Sequence, residues 1–177
     1  MGQPPTIILI TGMIAAGKSS VAQALAVRLD PSVHLRGDVY RRMIVNGRAE
    51  MSKAPSEEAL RQLTLRYRLS CQAAKGYWQA GFNVVYQDVV IGPALGEVVE
   101  TFWNLPLHVV VLCPRREVIA QRESARRKTG YSATSIEDLH EVFERTPRVG
   151  MWLDNSDQTV EETTDTVLER LDSARIS

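Results

Sequence analysis

Hydrophobic residues in this chain come in short dense runs, and each run is followed by a longer segment with helical spacing. The runs are residues 6–11, 33–37, 82–88, 107–112 and 150–154, rich in Ile, Val and Leu. Short, near-continuous apolar runs of this kind are expected of strands buried on both faces. The segment 19–29 places Val21, Leu25 and Leu29 on one helical face with Ala22 beside them, and Asp30-Pro31 stops it. The segment 39–45 reads as a short helix ended by Asn46-Gly47. A long helix follows, capped by Ser56 with Glu57 and Glu58 in its first turn, and closed by Gly81. Its apolar face is Leu60, Leu63, Tyr67, Cys71, Ala74 and Trp78. Weaker helices are expected over 94–103, from Pro114 onward through Val118 and Ile119, and over 160–171.

Five rounds of strand and helix predict an α/β fold: three layers, a five-stranded parallel sheet with helices on both faces. The length of 177 residues suits a single domain over 1–177, and 44% apolar against 24% charged residues is ordinary globular usage. Lys+Arg 21 balances Asp+Glu 21, which disfavours a nucleic-acid partner. Two cysteines, Cys71 and Cys113, make neither a disulfide framework nor a zinc site, so a reducing, cytoplasmic setting is expected. No run approaches the length of a membrane span, and no membrane partner is expected.

Candidate chemistry sharpens the picture at one place. Gly12-Met13-Ile14-Ala15-Ala16-Gly17-Lys18-Ser19 fits G-x-x-x-x-G-K-[ST], directly after a strand and before a helix. Chance supplies such a match less than about 1% of the time in a chain this long, so a phosphate-binding loop is the expected reading. Glycines at 12 and 17 let the backbone curl around an anion, with Met13, Ile14, Ala15, Ala16 and Ser20 contributing amides near the positive end of the next helix. Lys18 adds a point charge for the β- and γ-phosphates, and the Ser19 hydroxyl is a hard oxygen ligand for Mg²⁺. No Asn-Lys-x-Asp guanine signature is present, which favours ATP and a small phosphotransferase.

Ligands of open parallel sheets bind outside the carboxyl ends of the strands. Asp38 follows the second strand there, able to take a proton from an attacking hydroxyl, to hold Mg²⁺ through water, or simply to cap the helix at Val39. Arg41 and Arg42 are candidates for substrate oxygens or a solvated helix face. Asp88 ends the third strand and reads as a metal- or acceptor-binding carboxylate, with Gln87 beside it. The stretch 115–133 concentrates arginines, among them Arg115, Arg116, Arg122 and Arg126, and reads as a lid over the triphosphate, with Arg122 and Arg126 on one face. Arg145 and Arg148 are weaker candidates. Asp154-Asn155-Ser156-Asp157 is either a wall for the base or an ordinary turn. The scattered histidines, Trp78, Trp103 and Trp152, and Met43 and Met51 read as structural residues.

The loop at 12–19, Asp38 after the second strand and the arginine-rich 115–128 together resemble the small P-loop kinases of the adenylate, shikimate and gluconate kinase group. Within it the chain is most similar to chloramphenicol phosphotransferase-like proteins, through Glu117…Arg122-Glu123-Ser124-Ala125-Arg126. The resemblance implies a P-loop kinase fold with an Arg-rich lid, ATP and Mg²⁺, and transfer to a hydroxyl of a small molecule such as an antibiotic. It also implies Asp38 as catalytic base and an acceptor region within 39–75. The alternatives are a polynucleotide 5′-kinase and a non-catalytic ATP-binding regulator or toxin-like protein. The oligomeric state is left open.

Overall fold

A computed structural model of the chain describes residues 4–125 and 136–176. Its five strands are β1 (Ile7–Gly12), β2 (Ser32–Arg36), β3 (Asn83–Gln87), β4 (Leu107–Leu112) and β5 (Met151–Leu153). They form one parallel sheet in the order β2-β3-β1-β4-β5. β1 is central, with Ile7 level with Val84 on one side and Leu107 on the other. The helices are α1 (Lys18–Arg28), α2 (Asp38–Arg42), α3 (Glu57–Gln79), α4 (Pro93–Thr101), α5 (Arg116–Ser124), α6 (Ile136–Glu144) and α7 (Val160–Glu169). Among the described residues, no helix is long and apolar enough to cross a membrane.

The period of two along β1 explains the three layers. Ile8 and Ile10 point to the side of α1 and α7, where Val21, Leu25, Leu112 and Val167 complete one core. Ile7 and Leu9 point to the other side, with Cys71 and Ala74 of α3, Leu95 and Val98 of α4, Ile119 of α5 and Phe143 of α6. Each fully buried aliphatic side chain contributes on the order of 1.5–3 kcal/mol, so a central strand buried on both faces anchors the fold.

Local signals set the helix ends. Ser56 Oγ accepts the Ala59 amide to start α3, and Thr159 with Glu162 makes a reciprocal capping box on α7. Three expectations are corrected. Residues 136–144 form a helix the sequence reading did not assign; Leu139, Val142 and Phe143 give it an apolar side at three- and four-residue steps. Trp103 is 73% exposed and Met43 67% exposed, so neither belongs to the core.

At the end of β1 the chain leaves no room for a side chain. Gly12 has φ +133°, and a Cβ there would lie 2.2 Å from the Leu112 carbonyl oxygen across the sheet. Gly12→Ala should therefore cost about 1–3 kcal/mol in backbone strain alone, read as a lower midpoint in urea unfolding; an unchanged midpoint would contradict this placement.

Candidate active site

The loop between β1 and α1 is curled by three left-handed residues within six positions. Gly12 and Gly17 have positive φ, and so does Ala15, at 56°. Gly17 stands at the N-terminus of α1 with no side-chain cap. Ser20 and Val21 both donate to the Gly17 carbonyl, at 3.1 Å each, in the first turn of α1. Lys18 is 6% exposed and turns back over the loop, its Nζ donating to the Met13 carbonyl at 2.5 Å. The same carbonyl accepts the Ala16 amide at 3.3 Å. Ser19 Oγ donates to Gln87 Oε1 at 3.3 Å, tying the loop to the end of β3.

A second tie comes from the end of β5. Asn155, 3% exposed, donates from Nδ2 to the Ala16 carbonyl at 3.0 Å, and its own carbonyl accepts Arg122 Nη2 at 3.1 Å. This links α5, β5 and the loop. Asn155 Oδ1 and Arg122 Nη1 are both shielded from solvent without a hydrogen-bond partner. Shielded polar atoms without partners cost free energy, and two of them beside a candidate anion cradle are suited to a polar ligand.

Asp38 opens α2, with Gly37 rather than Asp38 itself at the cap position. Its Oδ2 pairs with Arg42 at 2.8 Å, and its Oδ1 lies 3.9 Å from Arg36 Nε. The side chain is 43% exposed, while Oδ1 itself is shielded from solvent without a hydrogen-bond partner. Gly37 donates its amide to the Gln87 carbonyl at 3.0 Å. Gln87 therefore bridges the two halves of the site, touching Ser19 through its side chain and Gly37 through its backbone.

Asp88 departs from expectation. Its side chain is 2% exposed and receives two hydrogen bonds from Arg66, one from Nε at 2.9 Å and one from Nη2. The Val89 amide adds a third at 2.7 Å, and the Tyr86 hydroxyl lies 3.4 Å away. This carboxylate is enclosed rather than open to an acceptor or a metal. Burial first, and then the charge of Asp88, hold the Tyr86 phenol well above its usual pKa, so it stays a neutral donor. Gly37 packs directly on the pair, since a Cβ there would lie 1.9 Å from Asp88 Oδ2.

The other arginines divide. Arg41 is committed to the Ala49 carbonyl at 3.0 Å and to Glu50 at 2.7 Å, and Arg42 to Asp38. Arg115 grips Asp157 with two bonds and Arg116 pairs with Glu144. Arg148 stacks over Trp152 at 3.8 Å. Of the arginine stretch, Arg122 is the one whose bonds lead to the loop; Arg126 and the remainder of the expected lid lie outside the described residues.

Among the described residues, no group of three or more His, Cys, Asp or Glu could hold a metal. The Ser19 hydroxyl is a hard oxygen of the kind Mg²⁺ takes.

Two features escaped the sequence reading. Arg66 sits at helical spacing with Leu63, Tyr67 and Ser70, so a charge on the apolar side of α3 was the available signal for a buried partner. Asn155 lies in a polar stretch that is equally an ordinary turn, and nothing local distinguishes it. The Arg66–Asp88 pair gives a direct test of the correction. Asp88→Asn should lower unfolding stability by about 3–5 kcal/mol, because it leaves a buried guanidinium uncompensated. Unchanged stability in a urea melt, with turnover lost, would return Asp88 to a direct substrate role.

Comparisons with known proteins bear on the family and the fold. The family model AAA_33, described as an AAA domain, matches residues 7–146. The adenylyl-sulfate kinase of Gloeothece citriformis (strain PCC 7424) is 30% identical over 147 residues, which cover 80% of this chain and 81% of that protein. The APS kinase of Mycobacterium tuberculosis in complex with AMPPNP and APS superposes with a TM-score of 0.73 at 18% identity, over 97% of this chain and 100% of that one. A sugar kinase from Janibacter sp. HTCC2649 gives 0.72 at 16% identity, over 97% and 96%. Likeness at such identities carries the fold, while the family match carries the assignment: this chain belongs to the AAA_33 family of P-loop kinases.

Proposed function

We propose that the protein moves the γ-phosphate of ATP to a hydroxyl of a small molecule in the cytoplasm. The observation that carries this reading is the bridge through Gln87, which sets the Lys18–Ser19 loop beside the Gly37–Asp38 turn at adjoining strand ends. In the proposed reaction the acceptor oxygen attacks the γ-phosphorus and gives its proton to the Asp38 carboxylate. The bond to the β-phosphate oxygen breaks, and ADP leaves. The loop amides and Lys18 stabilise charge on the phosphate oxygens. Arg122, anchored at Asn155, adds positive charge from the side of α5. Mg²⁺, when bound, supplies further neutralisation of the phosphates and would be held by Ser19 with Asp38 through water.

Support for a hydroxyl acceptor comes from the Asp38 carboxylate, whose Oδ1 has no hydrogen-bond partner, and from the resemblance to chloramphenicol phosphotransferase-like proteins. That resemblance also places antibiotics in the acceptor panel. The named relatives act, by their names, on adenylyl sulfate and on sugars, so the panel includes both.

Two substitutions separate the roles. Lys18→Ala should lower turnover by about 100-fold or more and weaken ATP binding. Asp38→Asn should leave ATP binding intact while lowering kcat by about 100- to 10,000-fold. ATP consumption against a panel of hydroxylated metabolites and antibiotics, with mass spectrometry of the phosphorylated product, reads both. Near-native turnover by Asp38→Asn would remove the base from this scheme.

A further inference from the structure

A cavity of about 440 Å³ opens beside Arg66, within the usual range for a small-molecule site. One wall is α3, with Leu60 and Leu63, and the opposite wall is α6, with Leu139 and Val142. Ile91 forms the floor from the connection between β3 and α4, and the 51–55 loop covers one side. A chain of contacts joins the cavity to the proposed reaction centre. Arg66 lines it and grips Asp88, Gly37 packs on Asp88, and Asp38 follows Gly37.

Most polar side chains in the lining are already engaged with the protein itself. Tyr67 donates its hydroxyl to the Val89 carbonyl at 2.7 Å, and Ser52 donates to the Ala54 carbonyl at 2.9 Å. Arg66 is spent on Asp88, and Lys53 pairs with Asp138 at 3.2 Å across the gap between the loop and α6. Glu141 adds a further negative charge, so the two cations are matched by Asp138 and Glu141 before Asp88 is counted. An anionic nucleotide would find no surplus positive charge here. A sugar would give up water from its hydroxyls without gaining enough partners in return.

From this lining we infer that the acceptor is a non-anionic alcohol with a bulky apolar body, its hydroxyl projecting past Arg66 toward Asp38. The inference rests on the kinase reading above and narrows it. It separates this chain from the substrate class named for its adenylyl-sulfate kinase relative.

Binding of 2-naphthaleneethanol, followed by its own fluorescence, tests the cavity without requiring turnover. ATP binding to the same protein is measured in parallel by calorimetry. The native chain should bind the probe saturably, and adenylyl sulfate or gluconate should not displace it. Leu60→Glu and Val142→Glu each put a carboxylate into a wall at a position exposed enough to keep the fold (47% and 40%). Each should weaken the probe by about tenfold or more, since an unpaired charge is costly against an apolar surface, with ATP binding and the thermal melt unchanged. No saturable binding, undiminished binding in either variant, or displacement by adenylyl sulfate would overturn the inference. If ATP binds normally in that case, the kinase reading survives it; if the native chain fails to bind ATP, the kinase reading falls and the inference with it.

Discussion

The proposed function depends on one electrostatic constraint: a polyanion would have to be held by backbone amides that no side chain can replace. Three left-handed residues turn the loop between β1 and α1, the kind of curl that gathers amides into an anion-binding concavity. The positive end of α1 lies behind them, and Lys18 folds over the loop onto the Met13 carbonyl. Such a loop keeps its shape only if both ends are fixed. At one end β1 is the central strand, buried on both faces. At the other, Asn155, just after the edge strand β5, holds the Ala16 carbonyl.

The acceptor side depends on a different interaction. Arg66 and Asp88 are both taken out of water, a costly arrangement unless geometry and extra hydrogen bonds compensate. Here Asp88 also receives the Val89 amide, and the neutral Tyr86 phenol lies against it. The pair acts as a fixed base on which Gly37 rests, and Gly37 carries Asp38 to the strand ends. Glycine is required at 37 for close approach rather than for an unusual backbone angle. The same ion pair shapes the inner wall of the apolar cavity, so one buried contact links the base, the turn and the proposed acceptor space.

Much of this was legible in the sequence because it rests on local patterns. The loop at 12–19 is defined by residue types at fixed spacing, and the strands by runs of aliphatic residues that must be covered on both faces. What escaped depends on contacts far apart in the chain. Asp88 looks like an open strand-end carboxylate until Arg66, on another element, is seen to enclose it. Asn155 becomes part of the site only because the sheet order brings β5 beside the loop. Residues 136–144 carry only a short apolar side, Leu139, Val142 and Phe143, among four charged or ionisable neighbours at 137, 138, 140 and 141. Trp103 was expected in the core on size alone, and its 73% exposure shows that hydrophobic identity without periodic context is a weak guide.

The central claim is that the loop's backbone amides hold the nucleotide by its phosphates. Amide-resolved NMR tests it most directly, comparing ATP with adenosine. The account predicts that ATP shifts the amides of residues 13–20 strongly and saturably, and that adenosine at the same concentration leaves them unmoved. Equal shifts from both ligands, or ATP shifts confined to other elements, would contradict it.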